Sequence, residues 1–299
     1  MLKNDNNLPL IAIIGGHGFV GSTVVNLLKN KQFQIIVPTK DKFDITNTKS
    51  QKNFFVRTKP KFVVNFASIT NIEKAERQRE DKKASVWKTN VTGVNNLAKV
   101  CKELGIFLIH ISSDGVFPGT LDFPGPYYEK TIPPNNSKRL SWYGYTKLRG
   151  EQAILREMPN SAIIRISYPF GNPESSKDFC VKTEKYIMQR MVLFSDQYLN
   201  PTYIPDLCSA LAKIIDIKLR GIFHVACTDT TTPYKFAFYI SKKINLDNNK
   251  IQTGSIENYF TKAKSIKRSK FGGLNSNWTQ KKIQIRFHSW KKALDELYD

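Results

Sequence analysis

The sequence has few cysteines and no long apolar run. Its four cysteines, Cys101, Cys180, Cys208 and Cys227, lie far apart. This spacing fits neither a disulfide framework nor a metal site, so we expect free thiols and no bound metal. No apolar segment approaches the ~20 residues that cross a bilayer, and the polar first nine residues do not resemble a signal peptide. These absences predict a cytoplasmic protein without a membrane span.

Acidic residues are also scarce. The chain has 25 Asp plus Glu against 46 Lys plus Arg, which gives a formal net charge of +21. Such a charge raises the possibility of nucleic-acid binding, which predicts a steeply salt-dependent affinity. However, lysines outnumber arginines and the charge is spread along the chain, with one modest run at 262–270. We therefore expect a solvated basic surface and no nucleic-acid partner.

Short apolar runs alternate with segments of helical spacing. This alternation predicts a mostly parallel sheet with helices on both faces, a Rossmann-type doubly wound α/β fold. After Gly171 the pattern is less regular, and 245–278 is predicted to be loop-rich. The predicted strands are 10–14, 34–37, 62–66, 107–111, 161–166 and 221–225, and the predicted helices are 20–28, 81–103, 143–157, 206–217, 233–244 and 288–297.

A glycine-rich turn follows the first predicted strand and opens the first predicted helix. Gly15, Gly18 and Gly21 form a GxxGxxG pattern that includes Phe19 and Val20. Glycines let the turn close tightly, let the backbone approach a pyrophosphate and let the helix pack on the strand. This position predicts a dinucleotide site, and a plain turn is the alternative.

The end of the second predicted strand bears on the choice of cofactor. NAD enzymes commonly place an acidic residue there to accept the ribose hydroxyls. Here Thr39 and Lys40 follow the strand, and Asp41 arrives late. A lysine near that point suits the extra phosphate of NADP. NADP(H) is therefore preferred, while NAD(H) and an incidental loop lysine stay open.

Three residues predict proton transfer beside such a cofactor. Tyr143 and Lys147 are four residues apart and share one face of a predicted helix. A cation beside a tyrosine lowers the phenol pKa from about 10, so the pair can exchange a proton with a carbonyl or alcohol. Ser113 ends the fourth predicted strand, at the sheet edge that also carries the glycine turn. An incidental surface Tyr–Lys pair is the alternative.

These motifs resemble the extended short-chain dehydrogenase/reductase superfamily and, within it, the dTDP-4-dehydrorhamnose reductase family. The resemblance implies NADPH-dependent reduction of the C4 keto group of a nucleotide-linked 4-keto-6-deoxy sugar, in deoxysugar nucleotide biosynthesis. It covers nearly the whole chain, and its segments are FVVNFAS at 62–68, NVTG at 90–93, IHISSDGVFPG at 109–119, YGYTKLRGE at 143–151 and NPTYIPDL at 200–207.

The resemblance also implies individual roles. Ser113, Tyr143 and Lys147 would be catalytic, with Lys147 lowering the pKa of Tyr143 and binding the nicotinamide ribose. A basic run with Lys262, Lys264, Lys267 and Arg268 would face the substrate diphosphate, or would be a solvated loop. The predicted cofactor-binding residues are Gly15, Gly18, Phe19, Val20, Gly21, Thr39, Lys40, Ala67, Ser68, Asn90, Tyr143 and Lys147, and the predicted substrate-binding residues are Ser113, Asp114, Tyr168, Phe179 and Arg268.

One departure from the family bears on the alternatives. Gly115 stands where the family usually has tyrosine and where combined epimerase–reductases carry a cysteine. A combined epimerase would therefore need Cys180 or Lys182 as its acid/base group. A non-catalytic NADP-binding subunit, resembling methionine adenosyltransferase β, is the other alternative because it shares the fold.

We predict two regions for the chain. Residues 1–170 would form the NADP(H)-binding Rossmann domain, to which 200–230 returns, and 171–299 would form a smaller, mainly substrate-binding α/β region. A homodimer is possible.

Overall fold

The short apolar runs become parallel strands. This computed structural model describes residues 8–29, 33–261 and 266–299. Within them the strands are β1 (Leu10–Ile14), β2 (Gln34–Ile36), β3 (Phe62–Asn65), β4 (Phe107–Ser113), β5 (Ala162–Ile166), β6 (Val192–Phe194), β7 (Gly221–His224) and β8 (Gln252–Gly254). Six of them form one parallel sheet in the order β2-β1-β3-β4-β5-β7, and β6 pairs with β8 in a separate parallel pair.

Helices connect these strands, and polar side chains cap several of them. Asn47, Ser141 and Ser289 each accept a hydrogen bond from a backbone N–H three residues on, which satisfies a free donor of the first turn. The helices are α1 (Phe19–Leu28), α2 (Thr48–Thr58), α3 (Ile72–Arg77), α4 (Ser85–Trp87), α5 (Val94–Glu103), α6 (Trp142–Glu157), α7 (Phe179–Met188), α8 (Ile204–Ile217), α9 (Pro233–Lys243), α10 (Glu257–Phe260), α11 (Asn277–Ile283) and α12 (Trp290–Tyr298).

Both faces of the main sheet are covered. Alternate side chains of a strand point to opposite faces. Ile11 and Ile13 pack in a buried cluster with α1, α8 and α11, whereas Ala12 and Ile14 pack with α2, α5 and α6. Burial on both faces explains why these strands are almost continuously apolar. The predicted doubly wound α/β fold is confirmed.

The strand ends that carry the motifs lie side by side. Ile14 is in register with Asn65, Asn65 with His110, and Ser113 with Ile166. From β1 the chain moves outward to β2 and then crosses to β3 on the other side of β1. Doubly wound sheets bind ligands in the crevice that opens at such a switch point, outside the carboxyl ends of the strands.

A second, smaller core follows β5. Phe170, Phe236 and Trp290 are buried between α7, α9 and α12, with the Phe170 and Phe236 ring centroids 5.6 Å apart. By contrast, α8 packs against the main sheet and β7 pairs with β5. The predicted domain boundaries, 1–170 with 200–230 and then 171–299, stay a prediction.

The helix predicted over 81–103 begins later than expected. Asp81 accepts hydrogen bonds from the N–H groups of Lys83 and Ala84 (2.8 and 3.1 Å), which forms a turn instead of the first helical residues. The helix starts at Ser85 and continues through a π-helical segment, Lys88–Gly93, into α5. The sequence pattern does not predict α2, because few of its residues are buried. No helix in the described ranges is long and apolar enough to cross a membrane.

Candidate active site

A cleft of about 460 Å³ opens at the carboxyl edge of the main sheet. Volumes of 300–1,000 Å³ are typical of small-molecule sites. The cleft brings the glycine turn, the ends of β3 and β4, the start of α6 and loops of the C-terminal region together. The predicted residues that line it are Gly15, Gly18, Phe19, Val20, Gly21, Ser68, Ser113, Asp114, Tyr143, Lys147, Tyr168 and Arg268.

The glycine turn forms a cradle that side chains would fill. Gly15 has a left-handed φ of 76°, and a Cβ there would lie 2.5 Å from the backbone nitrogen of Ala67. A Cβ at Gly21 would lie 2.5 Å from the carbonyl oxygen of Gly15. Helix α1 begins after Gly18 without a side-chain cap, so its first N–H groups can bind an anion. The turn therefore fits the pyrophosphate of a dinucleotide.

Ser113 is oriented by a buried carboxylate. Its hydroxyl donates to Asp114 Oδ1 (2.9 Å) and accepts from the N–H of Gly115 (3.1 Å). The other oxygen of Asp114, Oδ2, accepts from the Ser167 hydroxyl at 2.6 Å. Burial raises the pKa of Asp114, and the hydrogen bonds from Ser167 and Ser113 oppose the rise. These contacts hold the Ser113 oxygen at the cleft wall.

Tyr143 lies in the first turn of α6. Burial raises its pKa to about 12, while a hydrogen bond with Ser113 lowers it and the nearby Asp114 raises it further. The phenol therefore carries its proton at neutral pH. The position of α6 that brings Tyr143 to the cleft is set partly by Ser141, whose hydroxyl caps the N–H of Gly144 at 3.1 Å.

Lys147 is buried, and its amine points to β4. Its Nζ donates to the carbonyl oxygen of Ile111 (2.7 Å) and lies 3.3 Å from His110 Nε2. Burial lowers the pKa of Lys147 to about 8, and the nearby Glu151 acts in the opposite direction. In the ligand-free cleft burial dominates the pKa of Tyr143, and the expected lowering of that pKa by Lys147 stays a prediction.

The opposite wall carries Tyr168 and a group of cations. Tyr168 has a left-handed φ of 42°, uncommon for a side chain of this size, and its hydroxyl accepts from Gln197 Nε2 at 3.2 Å. Burial raises the pKa of Tyr168 to about 12. Besides Lys147, the basic residues that line the cleft are Arg139, Lys177, Lys182, Lys267 and Arg268. Lys262 and Lys264, predicted to join them, lie outside the described residues.

Phe179 supports this wall rather than forming it. Its ring packs behind Tyr168 and on Phe236, with centroid distances of 5.1 and 4.7 Å. Phe179 is not among the residues that line the cleft, and its direct contact with a substrate stays a prediction.

Asn90 likewise acts from outside the cleft. It accepts from the Ser68 hydroxyl (3.1 Å) and donates to Thr146 Oγ1 (3.1 Å), which joins the loop after β3 to α6. Ala67 packs under the glycine turn. Thr39 and Lys40 are exposed beyond β2, and neither belongs to the cleft lining. Their contacts with a cofactor stay a prediction.

Cys180 does not reach the cleft. Its side chain is 1% exposed and belongs to the second core with Phe170 and Phe236. Burial raises the pKa of this thiol well above its usual range. It therefore does not supply the acid/base group that a combined epimerase would need, whereas Lys182 does line the cleft.

The sequence reasoning missed several residues of the site. Arg139, Ser141 and Lys177 line the cleft from loops, and His110 contacts Lys147 from below. Ser141 gave a signal, since serine directly before an amphipathic helix is typical of an N-cap. No sequence pattern indicates Arg139 or Lys177, because tertiary packing places the loops that carry them at the cleft.

The comparisons with known proteins agree with this geometry. Residues 10–299 match the sequence profile of a family described as RmlD substrate binding domain. The chain belongs to this family. A crystal structure of dTDP-4-dehydrorhamnose reductase from Bacillus anthracis, in complex with NADP, superposes with a TM-score of 0.85 at 26% identity and covers 97% of this chain and 99% of that one.

Two curated relatives of this RmlD-family chain carry different names. The dTDP-4-dehydrorhamnose reductase of Mycolicibacterium smegmatis is 28% identical over 291 residues, 96% of this chain and 84% of that protein. The methionine adenosyltransferase 2 subunit beta of Bos taurus is 27% identical over 268 residues, 82% of this chain and 76% of that protein. The predicted family is confirmed.

Proposed function

We propose that this protein is an NADPH-dependent reductase of the C4 keto group of a nucleotide-linked 4-keto-6-deoxy sugar, as in dTDP-rhamnose biosynthesis. The observation that carries the proposal is that Ser113, Tyr143 and Lys147 share one cleft with the glycine turn. Family membership and the reductase-named relatives support the same oxidoreductase chemistry.

The residues present fit NADP(H). The turn at Gly15, Gly18 and Gly21 leaves the space that a pyrophosphate needs, and the start of α1 offers N–H groups to it. Ser68 would contact the adenosine half, and Lys40 would meet the extra phosphate from the loop after β2. When bound, NADPH supplies the hydride.

Tyr143 would donate the proton to the carbonyl oxygen. Its high pKa keeps the phenol protonated at neutral pH, which suits a general acid in the direction of reduction. The Ser113 hydroxyl, which donates to Asp114 in the ligand-free cleft, would turn its one hydrogen to the same carbonyl oxygen and orient it. Such positioned proton transfer typically contributes 10²–10⁴-fold to the rate.

The cations of the opposite wall would bind the substrate's diphosphate. Lys177, Lys182, Lys267 and Arg268 all face the cleft. Charge-assisted hydrogen bonds from such groups to phosphate are roughly twice as strong as neutral ones. Tyr168 would pack against the sugar.

A non-catalytic NADP-binding subunit is the second candidate, because a relative named methionine adenosyltransferase 2 subunit beta covers most of the chain.

The proposed role of Tyr143 is tested with Tyr143→Phe, and Tyr145→Phe on the same helix is the matched control. NADPH oxidation with a panel of 4-keto-6-deoxy sugar nucleotides should fall at least 100-fold in the first variant and stay near wild type in the second. NADPH binding should persist in both. Full turnover by Tyr143→Phe would refute this role, and no turnover by the wild type would favour the regulatory subunit.

We expect no nucleic-acid partner, a homodimer as the possible assembly, and the cytoplasm as the location. The four cysteines are buried and none of them belongs to a disulfide, which supports a reducing compartment. A gel-shift salt series and sedimentation measurements check the first two.

A further inference from the structure

A chain of buried polar groups runs behind the cleft from β3 to Lys147. Asn65 at the end of β3 lies in register with His110 on β4. Asn65 Nδ2 is 3.0 Å from His110 Nδ1, and His110 Nε2 is 3.3 Å from Lys147 Nζ. Asn65 is 0% exposed, His110 1% and Lys147 3%. Water therefore cannot replace a missing partner in this chain.

The orientation of the Asn65 amide is set by the backbone. Its oxygen, Oδ1, accepts from the N–H of Ala67 at 3.0 Å, directly under the glycine turn. The atom that faces His110 is therefore the amide nitrogen, which can only donate. His110 Nδ1 must accept that hydrogen bond, so it carries no proton.

The proton of His110 must then lie on Nε2. Burial, and the nearby Lys147, hold the pKa of His110 well below its usual range, so the ring is neutral and has one N–H. That N–H points at the amine of Lys147. The imidazole is a donor toward Lys147, not an acceptor.

The amine of Lys147 can satisfy this arrangement only without its extra proton. A neutral amine donates one hydrogen to the Ile111 carbonyl, accepts from His110 Nε2–H with its lone pair, and keeps one hydrogen for the cleft. An ammonium has three donors and no acceptor, so it would face the N–H of His110 with a hydrogen of its own.

The other titratable groups around Lys147 do not neutralise it directly. Glu151, one turn along α6, receives both hydrogen bonds of Arg165 from β5, at 2.9 and 2.7 Å. Tyr143 lies one turn earlier on α6 and is protonated at neutral pH, and Asp114 after β4 is bound by two serine hydroxyls.

We propose that Asn65 and His110 form a positioning pair that favours the neutral amine of Lys147 in the ligand-free protein. Only the kinetic consequence rests on the proposed function: the pair lowers the pH at which Lys147 loses its charge, and so it sets the pH dependence of ketone reduction.

The histidine tautomers test the proposal without any turnover. The chain has four histidines, so a protein labelled with ¹⁵N-histidine gives few imidazole signals. His224 is the internal control: its Nδ1 lies 3.1 and 3.2 Å from two carbonyl oxygens and must donate, while Nε2 lies 3.4 Å from Arg165. We expect His110 with its proton on Nε2 and His224 with its proton on Nδ1. A His110 with the proton on Nδ1, or a charged His110, would overturn the proposal.

Asn65→Asp tests the effect on Lys147. A carboxylate would accept from His110 Nδ1–H, reverse the tautomer and turn Nε2 into an acceptor for an ammonium. The proton of His110 should move to Nδ1, and the Lys147 limb of the kcat/KM pH profile should rise by about one pH unit or more. Because the new charge also acts directly, the same substitution is made in a His110→Leu background.

The size of the double-variant shift decides the outcome. We expect Asn65→Asp to shift the limb clearly less when His110 is absent, since the tautomer can no longer reverse. Equal shifts in both backgrounds would contradict the positioning role. Since the NMR measurement needs neither substrate nor NADPH, a failure of the reductase assignment would leave it readable, and an unexpected tautomer would leave that assignment standing.

Discussion

Two buried basic side chains meet α6 in different ways: Lys147 belongs to the helix, and Arg165 reaches it from β5 through Glu151, one turn after Lys147. Arg165 is 1% exposed and forms a bidentate ion pair with Glu151, which is also buried. Lys147 is 3% exposed, and its amine contacts the carbonyl oxygen of Ile111 and the Nε2 atom of His110. Arg165 lies away from the cleft and Lys147 lines it. The fold therefore holds a buried guanidinium as an ion pair away from the cleft, whereas at the cleft it surrounds a buried amine with neutral groups that lower its pKa.

Removing the partner of Arg165 should have the largest effect. Glu151→Leu leaves a buried guanidinium without its carboxylate, and breaking such a pair costs about 3–5 kcal/mol of the free energy of unfolding. Urea unfolding measures this loss. The double variant Glu151→Leu/Arg165→Met should recover most of it, since no charge is then left unpaired. If the free energy of unfolding of Glu151→Leu lay within 1 kcal/mol of the wild-type value, the buried guanidinium would not need its carboxylate for stability.

Removing Lys147 should not lower the free energy of unfolding at pH 7, whereas removing the partner of Arg165 should lower it. The pKa of Lys147 is about 8 in the folded protein, against about 10.4 when unfolded. Between these values the unfolded chain binds more protons, so stability should rise with pH from 8 to 10. At pH 7 the buried ammonium costs on the order of 3 kcal/mol. Lys147→Met should therefore be at least as stable as wild type at pH 7 and should lose the rise.

Urea unfolding of both proteins at pH 7, 8, 9 and 10, without ligand, measures this difference. A Lys147→Met protein less stable than wild type at pH 7, with an unchanged pH slope, would show that Lys147 is a structural cation like Arg165.

An exposed ion pair should give the smallest effect. Lys52 and Glu103 form a salt bridge with side chains 48% and 53% exposed. Exposed pairs contribute about 0–1 kcal/mol. Lys52→Gln should therefore change the free energy of unfolding by less than about 0.5 kcal/mol. A larger loss in the same unfolding assay would mean that burial does not determine how much these three basic side chains affect the free energy of unfolding.

The sheet and its motif-bearing edge were predictable because local sequence determines them. Strands buried on both faces, such as β1, leave an apolar run, and the glycine turn follows it directly. The position of Ser113 at the carboxyl end of a strand places it at the same sheet edge as the glycine turn.

The opposite wall was not predictable to the same degree. Lys177 and Arg139 reach the cleft from loops, and the ring of Phe179 packs between Tyr168 and Phe236. The contact between His110 on β4 and Lys147 on α6 depends on how the helix packs against the sheet. The hydrophobic periodicity of the sequence does not reveal that packing.

The most direct test of the account is the fate of the hydride. Wild-type protein is incubated with NADPH deuterated on the transferred position and a 4-keto-6-deoxy sugar nucleotide, and the product is examined by NMR. We expect deuterium at C4 of the sugar, and a parallel reaction in heavy water should place none at C3 or C5. Absence of deuterium at C4 would contradict the reductase, and solvent deuterium at C3 or C5 would show an epimerase as well.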